Sequence, residues 1–207
     1  MITTVIFDMN DVLYRYDRRI RVMRLAALCG RTCADVEGAI WGSGYEDSGD
    51  GGQMDADAYL AGFGERLGYA VTQRQWADAL GAAVTAMPET LTLAADVARR
   101  AKVAVLTNNN WLVKRALDTL FPELTPIFVT NVFVSAEFGA RKPEKEAYLG
   151  CLRRLDAPAE ATLFIDDSDR NVEGALAAGL AAHLYKDPDG LAAALNEVGR
   201  AGGGAIS

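Results

Sequence analysis

Asp166 and Asp167 stand side by side at the end of a short apolar run, Thr162-Leu163-Phe164-Ile165, and Asp8 closes a similar run, Thr4-Val5-Ile6-Phe7, far upstream. Short apolar runs halted by acidic residues read as buried strands. If these two strands lie side by side and parallel, their carboxylates meet at one sheet edge, where open α/β sheets bind their ligands. Three close carboxylates repel one another and raise each other's pKa unless a cation sits among them. Mg²⁺ suits such a site, because it takes one or two carboxylates and keeps positions for waters and a phosphate.

The rest of the chain must bring those strand ends together. Residues 2–7 read as one buried strand. From Asp17 to Leu28 apolar residues recur three and four apart, predicting a helix that stops near Gly30; Thr32 suits the cap of a second helix reaching Ile40. Residues 41–52 read as an irregular, glycine-rich stretch. Two more helices follow, over 53–67 (capped by Asp55, stopped by Gly68) and 72–86. Residues 15–85 are therefore expected to be all-helical, about four helices with no strand among them.

After Pro88 the pattern alternates. Helices are expected over 90–101, 112–120, 142–155 and 171–178, the last capped by Gly179. Strands are expected over 103–106, within 128–135, and over 162–165 and 181–185, and Asp187-Pro188 opens a final helix. This alternation implies a parallel sheet with crossover helices. The fold class expected is α/β: a Rossmann-like core with a parallel sheet, built from residues 1–14 and 86–198, plus an inserted all-helical cap domain over 15–85. A glycine-rich tail, 199–207, is expected to fray.

Composition narrows the partners. A net charge of −7 argues against nucleic acid or an anionic membrane, but not against a small anion bound by a local cation cluster. No apolar run reaches bilayer length, and Met1-Ile2-Thr3-Thr4 leads into a strand without a basic region or cleavage site, so a cytoplasmic protein is expected, as monomer or homodimer. Cys29, Cys33 and Cys151 with the single His183 do not make a zinc site; they read as thiols in a reducing compartment, and His183 as a packed residue.

Asp8-x-Asn10-x-Val12 after the first strand, Thr107-Asn108 after Val103-Ala104-Val105-Leu106, Lys142-Pro143, and Asp166-Asp167 together resemble the four ordered motifs of the haloacid dehalogenase (HAD) superfamily. The helical insertion looks like the cap of its first subfamily. The stretches running from Gly139 to Tyr148 and from Phe164 to Ala175 are similar to bacterial sugar-phosphate phosphatases of the glucose-1-phosphate phosphatase kind. The resemblance covers essentially the whole chain. It implies a Mg²⁺-dependent phosphatase acting on a small phosphate ester, most simply a sugar phosphate, through a phosphoaspartate.

The same resemblance distributes roles. Asp8 is the nucleophile, forming an acyl phosphate that splits one hard hydrolysis into two steps. Asp8, Asp167, the backbone carbonyl of Asn10 and, through water, Asp166 hold the metal. Lys142 balances Asp8 and meets a phosphate oxygen, and Thr107 with the Asn108 amide donates to phosphate. Asn109 and Asn110 suit the turn, and Arg141 reads as a solvated neighbour. Tyr14, Arg15 and Tyr16, with Glu46 in the loop from Trp41 to Asp47, are candidates for gripping the organic part; Trp41 and Tyr45 also suit cap packing.

Two positions depart from the family. Asn10 stands where its phosphatases carry a second aspartate, which protonates the leaving alkoxide and then activates water. Loss of a general acid–base costs roughly 10²–10⁴ in rate. An isosteric asparagine among intact motifs points to an impaired, substrate-trapping form, with a natural slow enzyme or a silent phosphate-ester binding protein as alternatives. Asp11 stands where glycine is usual. A 2-haloacid dehalogenase is the other enzymatic alternative, opposed by the Asp166-Asp167 pair, whose charge would repel a carboxylate substrate.

Overall fold

β-Branched and aromatic residues fill β1 (Thr4–Phe7), and all four are buried. The computed structural model describes residues 1–196, 198 and 199. After β1 the chain enters β2 (Tyr14–Tyr16), then α1 (Arg18–Cys29), α2 (Cys33–Glu37), a π-helical turn (Gly38–Gly42), α3 (Tyr45–Asp50), α4 (Ala56–Leu67) and α5 (Gln73–Gly81), and returns through β3 (Val84–Ala86). The remainder runs α6 (Pro88–Ala98), β4 (Lys102–Thr107), α7 (Trp111–Arg115), α8 (Leu117–Leu120), α9 (Leu124–Phe128), β5 (Val132–Val134), α10 (Lys145–Leu155), β6 (Thr162–Asp166), α11 (Asp169–Ala177), β7 (Ala181–Leu184) and α12 (Pro188–Leu195).

Five strands form one sheet in the order β5-β4-β1-β6-β7, every neighbouring pair parallel. Side chains alternate across it. Val5, Phe7, Val103, Val105 and Ile165 join one apolar cluster; Ile6, Ala104, Leu106 and Phe164 join another. Both faces are thus covered, which is why the strands read as near-continuous apolar runs. This is the expected α/β, Rossmann-like architecture.

Several helix ends fall where the sequence places them. Asp17, Thr32, Asp55 and Thr72 accept hydrogen bonds from first-turn amides, and Gly30 and Gly68 close α1 and α4. Asp187 caps α12, with Pro188 as its first residue.

Several expectations are corrected, among them that residues 15–85 contain no strand. The helix predicted over 72–86 stops at Gly81, and Val84–Ala86 instead pairs antiparallel with Tyr14–Tyr16, so a two-stranded ribbon carries both chain crossings. Three-residue strands leave too short a pattern to separate from a helix end. The helix predicted to reach Ile40 is α-helical to Glu37 and continues through Ile40 as the π turn, and the stretch read as irregular holds the end of that turn and α3. Glycine content hid α3, whose stability comes from burial of Tyr45, Glu46, Gly49 and Asp50 and not from propensity. Helix α11 ends at Ala177 with Ala178 as its cap, one position before Gly179. The fraying expected of the tail falls, beyond Gly199, outside the described residues.

The helical segment meets the sheet edge closely. Gly52 (φ +73°) approaches so near Ala136 that a Cβ there would sit 2.5 Å from the Ala136 carbonyl oxygen. Ser135 Oγ donates to the Asp50 carbonyl at 2.7 Å, and Arg141 pairs with Asp47.

Candidate active site

Because Phe7 lies opposite both Val105 of β4 and Ile165 of β6, the residues just past these strands come to one edge. Asp8, Asp166 and Asp167 each offer an oxygen there, all within 4.8 Å of one another. Lys142 reaches in from the loop before α10. Its Nζ donates to Asp8 Oδ1 at 2.6 Å and to Asp166 Oδ2 at 2.7 Å. Burial alone would lower the lysine pKa, but the two carboxylates outweigh it and hold Lys142 charged, above its ordinary value.

Even with this cation the site is short of positive charge. Burial pushes Asp8 up to about 7, against the opposing pull of Lys142 and with Asp166 adding to the rise. Asp167 is raised as well, by burial and by Asp166. The donor set is all oxygen, and Asp167 is exposed while the other two are buried. These residues fit a hard divalent cation with open coordination positions. Asp166 is less free: its carboxylate already accepts from Lys142, the Ser168 amide and Asn171 Nδ2.

Past β4, Thr107 is buried and its hydroxyl accepts from Asn109 Nδ2 at 2.8 Å. The Asn108 side chain spans to the lysine loop, donating to the Lys142 carbonyl and accepting from the Lys142 amide. Asn110 Oδ1 accepts from the Leu112 and Val113 amides, the turn role expected of it, while its Nδ2 donates to Asp50 at 3.4 Å.

Past β1 the chain turns at once. Asp11 adopts φ +58°, a left-handed conformation that aspartate tolerates better than most residues, and its Oδ1 accepts from the Tyr16 amide. Asn10 is half-buried and lines a cavity of about 210 Å³ between the strand ends and the helical segment. Asn108, Asn109, Tyr16 and Trp41 also line it, as do Arg18, Arg21, Glu46, Asp47 and Asp50.

The sequence candidates therefore divide. Asp8, Lys142, Asp166 and Asp167 come together, with Thr107 and Asn108 at the end of the adjoining strand. Tyr16 and Glu46 line the cavity. Tyr14 does not: it is buried against Phe121, its hydroxyl donating to Glu123 at 2.6 Å. Arg15 is exposed and lines a separate surface groove with Thr85 and Pro88. Glu46 has both oxygens engaged, Oε1 by Arg21 Nη1 at 2.7 Å and Oε2 by the Tyr59 hydroxyl. Trp41 is half-buried at the cavity wall, Tyr45 is buried in the packing of the helical segment, and His183 lies in the edge strand β7 opposite Ile165.

Sequence reading passed over Arg21 and Asp50. Arg21 carried a usable signal: it lies four residues before Leu25, on the buried face of α1 with Val22, where the helical period calls for an apolar side chain. Asp50 carried none, because α3 itself was not legible.

The chain is similar to several known proteins. A phosphatase of Mycobacterium tuberculosis (strain CDC 1551 / Oshkosh), Phosphatase MT3486, is 40% identical over 86 residues, which span 42% of this chain and 39% of that relative. Among solved structures, a HAD family enzyme of Bacteroides thetaiotaomicron in complex with magnesium and inorganic phosphate superposes with a TM-score of 0.77 at 21% identity, covering 90% of this chain and 95% of that one. A 2-haloacid dehalogenase from Pseudomonas syringae pv. Tomato DC3000 superposes at 0.61 with 19% identity, covering 89% and 86%. At these identities the solved structures share the fold. Residues 2–179 match the haloacid dehalogenase-like hydrolases, and the chain belongs to that family.

Proposed function

We propose that this chain is a Mg²⁺-dependent phosphatase of a small phosphorylated metabolite, a sugar phosphate by preference, present in an impaired, substrate-holding form. The observation that carries the reading is the convergence of Asp8 with Lys142 Nζ at 2.6 Å beside the Asp166 and Asp167 carboxylates. Residues 15–85 act as a cap over a core of 1–14 and 86–198.

Asp8 is the nucleophile. Its free oxygen attacks phosphorus as the P–O bond to the ester oxygen breaks, the leaving alkoxide takes its proton from solvent water, and a second water then attacks the phosphorus of the acyl phosphate, releasing inorganic phosphate and the Asp8 carboxylate. Lys142 holds the Asp8 carboxylate in place and neutralises it, while Thr107 and the Asn108 amide donate to phosphate oxygens. Bound Mg²⁺, held by Asp8, Asp167, the Asn10 carbonyl and indirectly Asp166, would supply charge neutralisation at the phosphate. The Asn10 side chain occupies the acid–base position but cannot exchange the proton, so both halves of the reaction are slowed. A cytoplasmic setting is part of the same reading; among the described residues no helix is long and apolar enough to cross a membrane. The partner is a small phosphate ester, with the chain acting as monomer or homodimer.

The test is phosphate release from an aryl phosphate and a sugar-phosphate panel, with and without Mg²⁺, for this chain and Asp8→Asn. Mg²⁺-dependent release that disappears in Asp8→Asn is expected. Halide release from a 2-haloacid without metal would establish the dehalogenase alternative instead, and ester binding with no release under any condition would establish a silent binding protein.

A further inference from the structure

The cavity contains one cation whose hydrogen bonding is incomplete. Arg21 is 3% exposed; Nη1 is bound to Glu46, the Tyr16 hydroxyl lies beside the guanidinium, and Nε and Nη2 have no partner in good hydrogen-bond geometry. Its guanidinium lies 5.3 Å from the Trp41 ring and 5.2 Å from the Trp76 ring. Buried donors left unpaired are costly and call for an explanation. Asp50, also buried, lines the same cavity, with Oδ1 accepting weakly from Asn110. Neither residue touches the carboxylate cluster that does the chemistry.

We propose that Arg21 and Asp50 read the organic half of the substrate, and that the group they read is an uncharged polyhydroxyl, as in a sugar or polyol phosphate, not a carboxylate. The inference rests on the phosphatase reading of the site and names its substrate class. Charge decides between the two ligand chemistries. The cations around the cavity already have acidic partners: Arg21 with Glu46, Arg18 with Glu37, and Arg141 with Asp47. Burial, with the nearby Glu46 charge, lifts the Asp50 carboxyl well above its ordinary range, so the pocket disfavours a carboxylate it already contains. A second one, from a ligand, meets the same penalty. A hydroxyl meets none. It accepts from the open N–H edge of Arg21 and donates to, or accepts from, the Asp50 carboxyl, satisfying both residues without added charge. Glu46, bound to Arg21 and Tyr59, is a positioning residue that fixes which edge of the guanidinium stays open.

The experiment is calorimetric binding to the full chain with Mg²⁺ of two ester pairs that differ in one group: sorbitol 6-phosphate against 6-phosphogluconate, and glycerol 3-phosphate against 3-phosphoglycerate. The polyol member of each pair is expected to bind at least tenfold tighter. In Arg21→Lys, which keeps the charge opposite Glu46 but loses the forked edge, that preference is expected to shrink at least fivefold. Asp50→Ala, with folding of both variants checked by thermal unfolding, is expected to do the same. Equal or tighter binding of the acids, no ester binding beyond that of inorganic phosphate, or an undiminished preference in both folded variants would overturn the inference. Failure to hydrolyse any ester while the preference holds would overturn the phosphatase reading alone.

Discussion

Asn108 and Lys142 hold each other through two opposed hydrogen bonds: Asn108 Nδ2 donates to the Lys142 carbonyl at 2.9 Å, and the Lys142 amide donates to Asn108 Oδ1 at 2.8 Å. The loop after β4 thereby sets the position of the lysine that faces Asp8 and Asp166. Asn108→Ala removes both bonds and is expected to cost about 1–3 kcal/mol, measured by urea unfolding. Phosphate release should fall further than an Asn109→Ala control, because Lys142 loses its anchor as well as the protein its stability.

Asp166 and Asp167 adjoin in sequence but should respond differently to mutation. Asp166 is fully buried and paired to Lys142, so Asp166→Ala leaves a buried lysine with one partner fewer and should cost about 3–5 kcal/mol. Asp167 is exposed. Asp167→Asn should leave stability within about 0.5 kcal/mol while weakening Mg²⁺ binding, read by calorimetry. Equal destabilisation by the two changes would contradict this division.

The pH dependence follows from Asp8. Burial lifts its carboxyl from 3.8 to about 7, above the unfolded value. Its contribution to stability is therefore fully present below about pH 4 and is lost as pH rises through about 7. In a metal-free buffer, Asp8→Asn should gain stability relative to this chain between pH 5 and pH 8; melting curves that stay parallel would refute the shift. Chelation should abolish phosphate release, and Mg²⁺ affinity should rise over the same window, because the ion competes with the Asp8 proton.

Under the proposed mechanism, Asn10→Asp supplies a group able to exchange a proton at the proposed acid–base position. Turnover of a sugar phosphate is expected to rise by roughly 10²–10⁴ with little change in KM, measured as steady-state phosphate release. A rise of less than about threefold would mean that proton transfer at this position does not limit the reaction.

The sequence by itself determined the sheet and the residues at its edge. Strands such as Thr4–Phe7 and Thr162–Asp166 are short, apolar and closed by aspartate, the pattern that a buried parallel strand leaves in a sequence, so Asp8, Asp166 and Asp167 were legible there. Local signals sufficed there because each residue's position follows from its own strand. The cavity was not legible in this way. Tyr14 and Tyr16 are two residues apart on one short strand, yet one is buried against Phe121 and the other lines the cavity. They share one face of the strand, and what separates them is the long-range packing of Phe121 and Glu123 against Tyr14. Likewise Arg21 and Glu46 are 25 positions apart and meet at 2.7 Å only because α1 and α3 fold over the same sheet edge. Long-range packing, to which periodicity and spacing are blind, decided the cavity between the strand ends and the helical segment.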